Sequence, residues 1–340
     1  MPTRPSILLK WLQTQKNCYW LDISNSGISD NISHFYWDFS PQLQFLALSN
    51  NHISGHIPNF SLEISNFPFI DLSSNNLEGE IPSFLFKVAH LNLSHNMFSE
   101  PIQSLCAIRN EVLFFLDLSN NQLSGELPNC WMHLEGLKIL KLENNHFFGK
   151  IPWSMGLLLG IETIDLSNNS FSGEIPSSLK NCTIFIEIIN LGHNNLSGQI
   201  PMWLGSSHPN LVIFFLRSNN LFGSIPSHLC HLRNLQLLDL ALNHISGSIP
   251  KCLNNLTALT QKRSPISTIS LSCYGSCSPF LGNYDYRAFW MWKGREFEYK
   301  NNLGRIKSID LSSNKLIGPI PREIMELLLD WFLWTSPETF

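Results

Sequence analysis

One asparagine recurs along this chain at nearly constant intervals, and that periodicity limits the possible folds more than any other feature. It falls at Asn51, Asn75, Asn96, Asn121, Asn145, Asn169, Asn194, Asn219, Asn243 and Asn314, with successive spacings of 24, 21, 25, 24, 24, 25, 25, 24 and 71. An eleventh, imperfect unit precedes them at Leu21-Asp22-Ile23-Ser24, with Ser26 at the marker position. A single core rarely grows to 340 residues, whereas stacked repeats reach that length by adding identical coils.

Around each marker the unit reads L-x-x-L-x-L-S-x-N-x-L-S-G-x-I-P-x-x-L. The L-x-L core alternates apolar and polar, which reads as a short strand with one buried face. The marker Asn is expected to bend the chain out of that strand and to satisfy backbone groups left unpaired by the turn. The Gly, as at Gly149, permits a tight path, and the following Pro, as at Pro152, fixes φ where no strand donor is needed. One coil cannot bury its apolar edge, but a stack can. The expected fold is an α/β-type solenoid of about 11 repeats. It is a right-handed superhelix with a parallel sheet on its concave face and an irregular convex side. The coil at Asn96 reads M-F-S-E-P-I, lacks the Gly, and is expected to kink.

The interval of 71 before Asn314 divides the chain. The expected order is an array over 1–252, an island over 253–300, a further repeat over 301–326 and an apolar tail over 327–340. The island replaces the L-x-L rhythm with Ser, Cys and aromatic residues, among them Tyr284, Tyr286, Phe289, Trp290, Trp292, Phe297 and Tyr299, interleaved with Lys293, Arg295 and Lys300. Long irregular insertions in regular arrays are commonly functional, and aromatic residues with Arg are typical of interface hot spots. The plainer reading is that these aromatics cover a break in the solenoid.

The central x of each L-x-L is expected to face the concavity. In order these residues are Asp22, Ala47, Asp71, Asn92, Asp117, Lys141, Asp165, Asn190, Phe215, Asp239 and Asp310. Departures from the Asp default mark specialisation, and Lys141 with Glu143 and Phe215 with Arg217 depart most clearly. The expected ligand-binding set is therefore Lys141, Glu143, Asn190, Phe215, Arg217 and Asp239, with Trp290, Trp292, Lys293 and Arg295 of the island. The alternative is drift, with Lys141 bridging Asp117 and Asp165.

Catalysis is not expected. Asp117 and Asp165 lie two strands apart, roughly 9.6 Å, against about 5–5.5 Å for a retaining and 6.5–9.5 Å for an inverting glycosidase. His228, Cys230 and His231 could offer metal ligands, but no second cluster completes a site, and no cofactor is implied. Charged residues make up 14% and the net charge is −4, which gives no footprint for nucleic acid.

Cys106 and Cys130 are 24 apart and Cys230 and Cys252 are 22 apart, close to one coil, so each pair is expected to stack and bridge. Cys273 and Cys277 could close a small loop in the island. Cys182 is expected in the core, and Cys18 has no assignment. Glycosylation sequons occur at Asn31, Asn59, Asn92, Asn168, Asn181, Asn195 and Asn255. With the period-spaced Cys they favour an oxidising secretory route. Asn92 and Asn168 are read as strand positions whose glycans would shield part of the concave face.

The segments LSNNQLSGELPNCW over 118–131, SIPKCLNN over 248–255, and WKGREFEYK over 292–300 leading into SIDLSSN over 308–314 carry a resemblance. They resemble plant extracellular leucine-rich-repeat receptor-like proteins of the fungal-xylanase-receptor and apple-scab-resistance type. The resemblance implies a defence receptor on the extracellular face of the plasma membrane, without a kinase of its own. It implies a microbial or endogenous protein, peptide or glycan ligand, and an LRR receptor-kinase co-receptor or adaptor kinase as partner. An alternative is a soluble wall-associated inhibitor of microbial polygalacturonase; another is a nonfunctional truncated paralogue. The first 20 residues have only the short apolar patch Ile7, Leu8, Leu9, Trp11 and Leu12, broken by Lys10, and residues 327–334 are too short to span a bilayer. The expectation is a fragment without signal peptide, caps or membrane span.

Overall fold

The structure, a computed structural model, describes residues 17–34, 42–59, 69–182, 185–260, 288–292, 295–299 and 306–324. The chain forms two compact units, Met1–Ile186 with Asn190–Ser197 and Glu187–Ile189 with Gly198–Phe340. Both are stacks of leucine-rich-repeat coils.

In the first unit the L-x-L cores form short parallel strands at Trp20–Asp22, Phe45–Ala47, Phe69–Asp71, His90–Asn92, Phe115–Asp117, Ile139–Lys141 and Thr163–Asp165. Each pairs with the next, residue for residue, so that Leu46, Ile70, Leu91, Leu116, Leu140 and Ile164 point together into the core. In the second unit Ile213–Phe215, Leu237–Asp239 and Ser308–Asp310 pair in the same way. The last pairing crosses the 71-residue interval without losing register, because Leu238 stands opposite Ile309.

The marker Asn joins two coils. Asn75 donates through Nδ2 to the carbonyls of Leu72 in its own coil (3.1 Å) and Leu48 in the coil before (2.9 Å), and its Oδ1 accepts from the N–H of Ile53 (3.0 Å). Asn243 repeats this with Leu240, Leu216 and Leu221. Backbone groups that the turn would strand inside the core are thereby paired. The bend itself belongs to the preceding residue, not to the marker. That residue has a left-handed conformation at Asn50, Ser74, His95, Asn120, Asn144, Asn168 and, in the second unit, Ser218, Leu242 and Ser313. Most are small polar residues that tolerate this region; Leu242, at φ 55°, does not.

A second tier of parallel strands follows each turn. In the first unit Ser54–His56, Asn76–Gly79 and Met97–Phe98 form one small sheet, and Ser124–Glu126, His146–Lys150 and Ser170–Gly173 pair in another. The interruption falls after Met97–Phe98, in the coil that lacks the Gly, while the main sheet runs on through His90 opposite Phe115. The expected kink is thus a break in the second tier. Beyond the Pro, the return path is a series of 3-10 turns such as Ser83–Lys87, Trp153–Leu157 and Ser227–His231.

The coil before the insertion continues beyond residue 253, where the sequence placed the start of the island. Lys251–Asn255 forms the usual 3-10 turn, Thr257–Thr260 adds a helical turn, and Leu253, Leu256 and Leu259 are buried. Within the island, Ala288–Trp292 and Arg295–Tyr299 form an antiparallel hairpin that pairs Trp290 with Phe297 and Trp292 with Arg295. Lys293, Cys273, Cys277 and the tail over 327–340 lie outside the described residues.

Candidate functional site

Among the described residues, each unit carries a charged assembly on its strand face, and both grow from the departures from the Asp default. In the first unit Lys141 stands in register between Asp117 and Asp165. Its Nζ lies 3.3 Å from Asp117 Oδ2 and 2.8 Å from Glu143 Oε1. Asp117 also accepts from the Ser119 N–H (3.0 Å). Asp165 accepts from Ser167 N–H and Oγ, and its Oδ2 accepts from Asn190 Nδ2 at 3.0 Å. Glu143 Oε2 is buried without a hydrogen-bond partner. Burial pushes the Glu143 carboxyl up to about 8; Lys141 pulls it back, and the charges of Asp165 and Asp117 push it further.

In the second unit one guanidinium serves two carboxylates. Arg217 Nη1 lies 3.0 Å from Asp310 Oδ2 and 3.4 Å from Asp239 Oδ2. The two aspartates are register partners on adjacent strands. Each also accepts a 3.0 Å hydrogen bond from a backbone N–H two residues on, at Ala241 and Ser312. Burial pushes the Asp239 carboxyl up to about 7, opposed by Arg217 and reinforced by Asp310. Among the sequence-predicted residues, then, Lys141, Phe215 and Asp239 are buried rather than open. Side chains on neighbouring strands, about 4.8 Å apart, cover one another on this face. The structure joins Lys141 to Glu143 in the first unit and Arg217 to Asp239 in the second. Lys141 ties Asp117 to Glu143.

Sequence reasoning missed a third assembly. Trp20, Phe45, Phe69, His90 and Phe115 open consecutive strands of the first unit and stack ring on ring, with centroids 3.6, 4.7, 3.8 and 4.0 Å apart. They stand two residues before Asp22, Ala47, Asp71, Asn92 and Asp117, so the period of a strand places both columns on one face. That offset was the available signal. His90 is sandwiched between Phe69 and Phe115, its Nδ1 is buried without a partner, and burial pushes its imidazole down to about 3.

Cys106–Cys130 and Cys230–Cys252 are disulfide-bonded, each with Cα atoms 5.6 Å apart. Cys230 is therefore committed, which removes it from the suggested metal ligands His228 and His231. Cys182 is a buried free thiol, pushed up to about 12 by burial. The sequon asparagines Asn31, Asn59, Asn168, Asn181, Asn195 and Asn255 are exposed. Asn168 sits in the turn after Thr163–Asp165, not on a strand, because it is the left-handed residue of its coil. Asn92 is a strand residue, half-buried, with its Oδ1 accepting from Ser94 N–H and Oγ. No helix among the described residues is long and apolar enough to cross a membrane.

The Leucine Rich Repeat family signature matches residues 42–62, 69–88, 113–134, 160–182, 185–207, 210–232, 234–256 and 305–327. Receptor-like protein EIX2 of Solanum lycopersicum is 43% identical over 320 residues, 94% of this chain and 31% of its own length. The chain thus spans about a third of that relative. Receptor-like protein EIX1 of the same plant is 43% identical over 78 residues, 22% of this chain and 8% of its own length. Among solved structures, the Arabidopsis receptor kinase HAESA, in complex with the peptide hormone IDA and the co-receptor SERK1, superposes with a TM-score of 0.71 at 26% identity. That match covers 95% of this chain and 47% of HAESA. A plant ice-binding protein matches with a TM-score of 0.54 at 26% identity over 68% of this chain and 74% of its own. The chain belongs to the leucine-rich-repeat family and is similar to plant receptor-like proteins.

Proposed function

We propose that this chain is the extracellular ligand-recognition region of a plant defence receptor-like protein that has no kinase of its own. The observation that carries this reading is the 43% identity to receptor-like protein EIX2, sustained over 94% of the chain. The likeness to HAESA, solved with a peptide and a co-receptor, supports a protein or peptide ligand and a receptor-kinase partner. The chain works at the plasma membrane's outer face, glycosylated at Asn31, Asn59, Asn168, Asn181, Asn195 and Asn255. Catalysis has no part in this reading.

The buried Lys141, Glu143, Phe215 and Asp239 shape the strand face from beneath, while direct contact falls to Asn190, Arg217 and the hairpin residues Trp290, Trp292 and Arg295, with Lys293. Aromatic and Arg hot spots each cost about 2 kcal/mol or more when truncated, or ~30-fold in affinity. The test uses the secreted, glycosylated full chain and a purified fungal xylanase as probe, with binding measured by calorimetry. Saturable binding that Trp290→Ala, Trp292→Ala and Arg295→Ala each weaken at least tenfold supports the reading. No binding, or inhibition of a microbial polygalacturonase instead, overturns it.

A further inference from the structure

We propose that Asp239 and Asp310 form a proton-operated latch: one proton held between them fastens the coil after the insertion onto the coil before it, and its loss loosens that junction. Such a latch would hold the array together across its own interruption, apart from any ligand binding.

The geometry supplies the parts. Asp239 ends the strand before the insertion and Asp310 ends the strand after it, and the two are direct register partners. Both carboxylates are largely buried, with side chains 5% and 8% exposed, and both reach the same Arg217 nitrogen. Two carboxylates at one guanidinium leave one negative charge unbalanced in a site that water scarcely reaches. Like charges held this closely do not both ionise readily. A single proton removes the excess and leaves a balanced Arg217–Asp310 pair. No other charged residue lies on Leu237–Asp239 itself. The preceding strand presents Phe215 opposite Asp239, with Arg217 beyond it. On the following element the other buried charged residue is Lys307, three residues before Asp310. The rest of the junction is hydrogen bonds: Leu240 N–H to Asp310 O (2.9 Å), Leu242 N–H to Ser312 O (3.0 Å) and Ser308 N–H to Gln236 O (2.9 Å). These amides report whether the junction is closed.

The sign follows from linkage. A carboxyl raised in the folded state contributes stability that is fully present below its unfolded value and is lost as pH rises through the folded one. The junction therefore tightens in acid and loosens toward alkaline pH.

The experiment is hydrogen exchange of the glycosylated full chain, followed by mass spectrometry on peptides covering Leu240, Leu242 and Ser308 and corrected for intrinsic pH dependence. It compares about pH 5.5 with about pH 8.5, either side of the range in which the shared proton leaves. In the wild type, protection of these amides should fall about tenfold or more at the higher pH, since each pKa unit of differential binding is a factor of ten. Asp239→Asn supplies the neutral partner permanently and should hold the change to less than about twofold. Asp310→Asn relieves the same excess charge and serves as the second variant should the first fail to fold. Wild-type protection that is unchanged across the range overturns the latch. So does a full pH-dependent drop that persists in both variants.

Discussion

The Lys141 assembly of the first unit and the Arg217 assembly of the second solve the same problem with different chemistry. Each places one cation among carboxylates on a strand face where side chains cover one another. Lys141 is a point charge that serves Asp117 and Glu143 and leaves Glu143 Oε2 without a partner. Arg217 serves two register-matched aspartates through one nitrogen, Nη1, and each aspartate has a second hydrogen bond from a backbone N–H. A guanidinium holds two acceptors in fixed geometry, which an ammonium does not. The first assembly is the less satisfied, and the second holds a junction across an insertion.

The most severe way to break the comparison is to remove each cation. Lys141→Met and Arg217→Met should each cost about 3–5 kcal/mol near neutral pH, because carboxylates stay buried without a counter-charge. Urea midpoints at neutral and acidic pH check this. The loss should shrink in acid, where the carboxylates take up protons, and a loss that is equal at both pH values contradicts the electrostatic account. Packing provides a contrast that does not depend on charge. A Cβ at Gly156 would stand 2.2 Å from Ser178 O, and one at Gly205 would stand 1.7 Å from His228 O. Gly156→Ala and Gly205→Ala should each cost about 1–3 kcal/mol at every pH, with Gly205→Ala the worse.

The pH profile separates the units more finely. Glu143 in the first and Asp239 in the second both withdraw stability as pH rises, from their ordinary values of 4.5 and 3.8 toward about 8 and about 7. His90 does the reverse: its stability is present above 6.5 and is lost as pH falls toward about 3. Hydrogen exchange in strands of the first unit should therefore quicken at both ends of the range, and Glu143→Gln should remove only the alkaline limb. His90→Phe should remove the acid limb and add about 1 kcal/mol, since it extends the ring stack and deletes a buried unpartnered nitrogen. The smallest effect is expected at Leu242, 43% exposed in a left-handed conformation. Leu242→Asn, matching Asn144 and Asn168, should stabilise the chain by about 0.5–1 kcal/mol, read as a raised melting midpoint.

Much of this architecture can be read from the repeat alone. Strand positions, the buried leucines and the coil-to-coil cysteine pairs follow from a period near 24, because anything one period apart must stack. The electrostatics did not follow. Asp239 and Asp310 are 71 residues apart, so their adjacency appears only once the insertion is seen to preserve register. Lys141 and Asp239 look open when a strand face is read one strand at a time; neighbours on both sides bury them. The ring stack stands two residues before the face positions, outside the one residue per strand that the repeat marks as open. The left-handed residue stands one place before the expected bend, since the marker Asn is constant while the residue that bends varies among Asn, Ser, His and Leu.

The register kept across the insertion has a consequence for how such a chain changes over generations. Because Leu238 meets Ile309 as though nothing lay between them, the inserted text is not proofread by the sheet. Lengthening a surface loop costs little, about 0.6 kcal/mol per doubling. Its aromatic hairpin can be rewritten, traded or extended while the flanking coils stay fixed, which makes that position a cassette slot in an otherwise conservative scaffold.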